Sequence, residues 1–505
     1  MTQRSGIGHA GGIASGALWN VIGQILPAAV GLCATPSIVR GLGTERFGLL
    51  ALAWLIIGYF SLFDLGLGRV VTKLVAEHNA SGDEARLRKV VWTAWWVMLL
   101  MGVVAAVVPL PAVPWLVSHG MHASTAVRIE GERSLYLLLM SMPAVILMNG
   151  FRGVLEAYQQ FALVNVVRVP FGVATFVVPL LVVHFTNQLP VVIVGLVIAR
   201  YVATLAYAAI CFSLLGSAAN PSAPERGVLR ELLGFGAWIT VSNIVGPLMV
   251  TFDRFVIGAV ISVGMVAFYA TPFQAVMQLL LLPAALATVL FPIFARVAST
   301  PSERIRRVYE SSIQVIYLAL YACAIVVMLF APQILTLWLG SEFGTLSATP
   351  MRWLMLGAIM NGVAQVPFAF IQGIGRSDFT AKLHLIELPA YLTVLFVLAT
   401  RHGINGVALA WFIRSAIDAS ILSCFAMRSQ GPITWRNQFN WIVAPLLALI
   451  PLALMGIVHG NAAQLASLVV GFSLFSSVVW LRVFRSRMPS YVREMGQIVR
   501  QRIGG

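Results

Sequence analysis

The 505-residue chain is 59% hydrophobic and 10% charged, with a mean hydropathy of +0.89. A soluble domain runs about 45–50% apolar and about 25% charged, so a soluble enzyme, a disordered chain and a secreted disulfide scaffold are excluded. The net charge of +15 is scattered between apolar runs with no basic domain to hold it. That distribution argues against nucleic acid as a partner and for the rule that places Lys and Arg on the cytoplasmic side of a membrane.

Residues 1–13 form a Gly-rich tail carrying Arg4, without a signal-peptide cleavage pattern. A membrane span needs about 20 apolar residues. Fourteen candidates follow, at about 14–39, 47–68, 90–110, 134–151, 162–184, 190–213, 232–259, 265–295, 309–331, 351–374, 380–400, 404–427, 438–458 and 462–481. With the N-terminus inside, 23 Lys and Arg fall in inner segments and six in outer ones. This asymmetry supports an even span count and two cytoplasmic termini. The basic tail 482–505 is then cytoplasmic. Cys33, Cys211, Cys323 and Cys424 lie singly in apolar runs and read as small hydrophobes with no disulfide or metal role. Asn79-Ala80-Ser81 fits a glycosylation sequon but falls in an inner loop, where it is a chance match.

The chain resembles itself at an offset of about 219 residues. Trp19 to Pro27 aligns with Trp238 to Pro247 with one insertion. Val75-Ala76 and the later Arg86-Leu87-Arg88-Lys89 align with Val297-Ala298 and Arg304-Ile305-Arg306-Arg307, and Pro170 aligns with Pro389. The expected architecture is therefore an all-α membrane protein with two pseudo-symmetric six-helix bundles, 14–213 and 232–427. A cytoplasmic linker joins them at 214–231, and two further helices follow within 438–481. Parallel repeats facing one another across a cleft suit alternating access. Pro27 and Pro247, in equivalent lead helices, are hinge candidates; packing kinks are the alternative.

Ionisable groups within spans are costly and hence candidates for function. Arg414 and Asp418 are four apart, as are Arg152 and Glu156, and each pair can neutralise itself on one helix face. His384 and Glu387 are three apart with Lys382 close by, which makes Glu387 a candidate proton site. Arg168 and Arg200 have no acid three or four residues away, and Arg254 only adjoins Asp253. Guanidinium binds phosphate oxygens bidentately and stays charged, so these three arginines are candidates to line an anion-binding cavity. Pairing to Asp64 or Asp253 on another helix is the alternative. Asp64, Asp253, Glu387 and Asp418 are candidates for coupling or for salt bridges. Gln24, Asn243, Gln274, Gln278 and Gln365 could line a cavity or bond neighbouring helices.

Gly41-Leu42-Gly43-Thr44-Glu45-Arg46-Phe47-Gly48, followed by a span closing on Asp64-Leu65-Gly66-Leu67-Gly68, resembles the polysaccharide transporter family. So do Asp253-Arg254-Phe255-Val256-Ile257-Gly258, then Val266-Ala267-Phe268-Tyr269, and Phe291-Pro292 before a basic inner loop. The resemblance covers about residues 14–430 and implies the multidrug/oligosaccharidyl-lipid/polysaccharide exporter superfamily. It further implies a flippase of the bacterial inner membrane for undecaprenyl-diphosphate-linked oligosaccharide, such as an O-antigen or exopolysaccharide unit. Such a protein has a cationic central cavity and no cofactor. Its partners are the lipid-linked substrate, the bilayer, a coupling proton or sodium ion, and glycan polymerase or export machinery. Lipid II flippases are related, but Ala14 to Ile38 lacks the basic first-span residue expected of them.

Two rivals remain at this stage. A cation-coupled multidrug exporter would want an acidic cavity, whereas unpaired arginines outnumber unpaired acids here. A membrane-embedded glycolipid polymerase or ligase would want a sizeable outer loop. The longest, about 111–133, holds His119, His122, Glu130 and Glu132 without HExxH spacing. No Walker A, GxSxG or dinucleotide fingerprint occurs, so the expectation is a transporter and not an enzyme.

Overall fold

Every regular element among the described residues of the computed structural model is helical. Those residues are 6–60, 66–216, 220–229, 232, 249–296 and 303–430. The expected spans within 438–481, the tail 482–505 and much of 232–259 lie outside them. Among the described residues, eight helices are long and apolar enough to cross a membrane. The number is nine if Val263–Gln278 and Leu281–Ala295, bent by 42°, form one broken span. By compactness the chain divides into two units, 1–270 and 271–505.

The first unit holds α1 (Gly6–Phe60), α2 (Leu67–Ser81), α3 (Glu84–Val107) and α4 (Val113–Gly120). It continues with α5 (Thr125–Met140), α6 (Met142–Ala157), α7 (Phe161–Val182) and α8 (Leu189–Leu215). The stretch 111–133, expected as an outer loop, carries α4 and the start of α5 instead. Prolines at Pro111 and Pro114 suit first-turn positions, where no N–H is needed.

α1 is 55 residues long, about 80 Å if straight, and cannot be one crossing. Its dihedrals leave the helix at Gly43, with φ +76°. Phe176 of α7 shows the consequence. A Cβ on Gly31 would touch its ring, and Trp54 lies 5.2 Å from the same ring between centroids. Residues 31 and 54 would be about 35 Å apart on a straight helix, so α1 turns back at Gly43. Its first limb runs parallel to α7, with Gly23 against Asn165, Pro27 against Gly172 and Gly41 against Val183. Small residues permit that approach, the usual device where lipid offers no hydrophobic drive.

The apolar core of this unit joins α2, α3, α6, α7 and α8, with Trp95, Met98, Ile146, Val164 and Tyr207 among its members. α8 is also stitched to its neighbours by side chains bonding main-chain carbonyls. The Tyr207 hydroxyl donates to Val164 at 2.9 Å, Thr204 to Ala144 at 3.2 Å and the Cys211 thiol to Phe151 at 3.2 Å.

Ion pairs close the two ends of the unit. Arg46, just beyond the Gly43 turn, grips Glu130 bidentately at 2.8 Å, and Glu130 also accepts the Leu189 N–H. At the other end Glu225 accepts from Arg86 at 2.7 Å and pairs with Lys89 at 3.0 Å, while its N–H donates to Thr93. This pins residues 220–229 to the start of α3. Lys89, then Arg86, hold the Glu225 carboxyl below the usual carboxylate range. A lowered folded value means that the pair's contribution is complete above about pH 4.3 and fades as pH falls through that lower value. Limited proteolysis should therefore cut 220–229 faster in the acid range. Glu225→Gln should raise cleavage at neutral pH to the acid level of the unsubstituted chain.

After the helical residues 249–256, the five-residue π turn Ile257–Ile261 ends at extended Ser262. His122 holds this turn, its N–H donating to Gly258 and its carbonyl accepting from Val263. α9 (Val263–Gln278) begins in the first unit and ends in the second.

The second unit contains α10 (Leu281–Arg296), α11 (Glu303–Leu339), α12 (Ser341–Leu346), α13 (Ala348–Gly373) and α14 (Ser377–Gln430). α13 is largely apolar and mostly buried, as befits a helix surrounded by others. Gly357 faces Trp411, Gly362 faces Leu320 and Pro283, and Gly373 faces Phe294, so α14, α11 and α10 all approach it closely. α14 is a second hairpin. It leaves helical dihedrals at Gly403, with φ +57°, and Phe379 stacks on Phe425 at 4.0 Å. On a straight helix those rings would be about 69 Å apart. An offset of 219 carries Gly43 onto Ser262 and His184 onto Gly403, and the chain turns at all four.

Candidate functional site

Among the described residues, the buried charged side chains of the helices long enough to cross a membrane fall into two groups, Arg200 in the first unit and Glu387, Arg414 and Asp418 in the second. In the first, Arg200 stands eleven residues into α8, about 16 Å from the Leu189 end and so near mid-depth of a ~30 Å hydrocarbon core. It is 9% exposed, and its guanidinium lies over the Phe171 ring at 4.9 Å. No carboxylate among the described residues pairs with it. A ring face offers a cation about 0.5–2 kcal/mol, less than an unpaired buried guanidinium loses by leaving water.

The other two arginines part from Arg200. Arg168 is exposed on α7. Arg254 is buried beside Asp253, which is fully enclosed and accepts both the Arg254 N–H and the Tyr269 hydroxyl. The Asp253 carboxylate is thus engaged at a helix-to-helix contact. Asp64, Asn243, Pro247 and the side chain of Gln24 lie outside the described residues. Gln274, Gln278 and Gln365 are half-buried. α1 keeps its helical course through Pro27, its one non-helical residue being Gly43.

The second group is built by the α14 hairpin. Its outgoing limb carries His384, Glu387 and Tyr391, and its returning limb carries Arg414 and Asp418. Asp418 does not pair with Arg414, its neighbour one turn away. It faces His384, Nε2 to Oδ1 3.6 Å, because the returning limb turns that carboxylate toward the other strand of the hairpin. Arg414 lies instead over the Tyr391 ring at 5.6 Å. One ligand-type atom from each of His384, Glu387 and Asp418 falls within 4.8 Å of the others. Glu387 is 8% exposed, and neither of its oxygens has a hydrogen-bond partner among the described residues. It lines a cleft of about 90 Å³ with Tyr391, Val394, Ile413 and Arg414. Phe368 of α13 stacks on the His384 imidazole at 6.3 Å. By contrast Arg152 and Glu156 do pair along one helix face, at 3.1 Å, and Lys382 turns away to Asp378.

Phe171, Tyr391 and the His384–Asp418 pair escaped the sequence reading. Same-helix spacing cannot find a contact 34 residues apart. The sequence did hold a clue, His402-Gly403 between two apolar runs of α14, which marks a tight reversal.

Residues 13–298 match the protein family described as "Polysaccharide biosynthesis protein". A Shigella flexneri protein named "Putative O-antigen transporter" is 28% identical over 410 residues, covering 81% of this chain and 96% of its own. Two solved structures share the fold. One is an inward-facing multidrug resistance MATE family transporter of the MOP superfamily, with a TM-score of 0.69 and 17% identity over 81% of this chain and 98% of its own. The other is the lipid II flippase MurJ in an inward closed conformation, with a TM-score of 0.67 and 11% identity over 94% and 99%. The family match takes in Gly41 to Gly48, Asp64 to Gly68 and Asp253 to Gly258, the segments on which the resemblance was read. The chain is a multi-pass membrane protein belonging to the polysaccharide biosynthesis protein family.

Proposed function

We propose that the chain is a flippase that moves an undecaprenyl-diphosphate-linked oligosaccharide across a bacterial inner membrane by alternating access. Both termini are cytoplasmic. The headgroup enters from the cytoplasmic face while the lipid tail stays in the bilayer, and no covalent bond is made or broken. The observation that carries the reading is Arg200: a permanent cation at mid-depth, backed by an aromatic ring and with no described carboxylate to neutralise it. A diphosphate supplies the missing negative charge and offers oxygens in the geometry that a guanidinium fork matches. The O-antigen transporter relative supports the same substrate class. A cationic drug would meet the wrong sign at Arg200, which sets the multidrug reading behind. The four turns that coincide under the 219-residue offset support two equivalent halves that rock between inward and outward states.

Deletion of the gene tests this. The expected phenotype is loss of surface glycan with lipid-linked units accumulating on the cytoplasmic side, both reversed by the gene on a plasmid. Wild-type glycan in the deletion strain would refute the reading, and accumulation of unpolymerised units on the outer face would refute transport and favour a polymerase.

A further inference from the structure

The α14 hairpin has a charge count that does not balance. Glu387 and Asp418 bring two negative charges, Arg414 brings one positive charge, and a neutral His384 brings none. All but His384 are more than nine-tenths buried. Among the described residues, the other basic groups at the start of the outgoing limb are committed elsewhere. Lys382 and Arg376 both bind Asp378. α13 contributes the uncharged Phe368, and Tyr309 of α11 faces Ser423. Counted over the described residues, the cluster is therefore short by one positive charge, in surroundings where a net charge is costly.

We infer that the cluster of side chains between the two limbs of α14 binds one proton, shared among His384, Glu387 and Asp418, and that Arg414 serves as a built-in counter-cation limiting the site to one. Metal ions fit less well. A divalent ion would overshoot by one charge. Sodium, a hard cation, prefers an oxygen cage, whereas this site offers an imidazole nitrogen, few oxygens and a guanidinium alongside. When the proton leaves, two carboxylates face one guanidinium, and Arg414 is drawn from the Tyr391 ring toward Glu387, which lines the same cleft. Proton occupancy thus sets whether Arg414 ties the limbs together or rests on the ring. The inference rests on the transport reading only for the use made of the proton.

The test counts protons without any glycolipid, so its failure is separable from failure of that reading. Full-length protein in phosphatidylcholine nanodiscs is brought from pH 8 to pH 5 in weak buffer, and proton uptake is compared with that of variants. Glu387→Gln should take up about one proton fewer than the unsubstituted chain, and Arg414→Gln about one more, because the count shifts with the fixed charges. The two variants move in opposite directions, so either one that elutes as a single species suffices. Equal uptake in all three would overturn the inference. So would proton release at pH 7 on adding millimolar Na⁺ or Zn²⁺, which would make the cleft a metal site. In cells, Glu387→Gln should lower glycan export at least tenfold and Glu387→Asp should restore most of it.

Discussion

Arg200→Ala is expected to abolish glycan export while leaving the protein at normal abundance in the membrane. Truncating one partner of a desolvated charge pair costs about 2–5 kcal/mol. At about 1.4 kcal/mol per tenfold, headgroup affinity should fall on the order of 100-fold. The fold should not suffer, since the guanidinium leaves no described carboxylate unpaired when it goes and gives up only its place over Phe171. Arg200→Lys keeps the charge but loses the planar fork, and should fall between the two. Glycan display on whole cells, scaled to immunoblotted protein, reads all three. Unimpaired export in Arg200→Ala would remove this residue from the mechanism. A drop in abundance matching the drop in export would make its role structural.

The second large effect is expected at Gly406, three residues past the reversal of α14. A Cβ there would collide with the Leu398 carbonyl. The Cβ is fixed directly to Cα and the carbonyl is main chain, so neither can swing aside, and relief requires the hairpin to open. Overpacking typically costs about 1–3 kcal/mol, and an opened hairpin would also separate His384 from Asp418. Gly406→Ala should therefore lower the thermal unfolding temperature in detergent and reduce export. Gly58→Ala is the control. A Cβ there meets open space, and alanine favours helix by about 0.8–1.0 kcal/mol over glycine. If both variants unfold at the same temperature as the unsubstituted chain, the close packing of the α14 limbs is not what stabilises the second unit.

Much of the architecture can be read from composition and spacing because lipid imposes a simple demand. Each crossing must satisfy its own backbone, so it must be a helix about 20 residues long. The breaks between runs, at Gly43, Gln160 and Gly403, fall where the chain turns. The stretch 111–133 was less legible. Its prolines and histidines suggest a loop, yet α4 and α5 form there, since proline at a helix start removes only an N–H that has no partner anyway.

The ionisable groups divide along the same line. That Arg200 has no partner on its own helix, and that Arg152 and Glu156 share a face, follows from 3.6 residues per turn. Whether Asp418 meets Arg414 or His384 does not. That choice depends on how the hairpin rotates its two limbs against each other, which α13 sets by admitting Trp411 against Gly357. Residue order along the chain determined which segments cross the membrane and which charges must be hidden inside it, because both are local consequences of the bilayer. The partners of those charges, Phe171 for Arg200, Tyr391 for Arg414 and His384 for Asp418, were decided by tertiary packing, because each joins residues 23 to 34 positions apart that only helix-against-helix contact brings within reach.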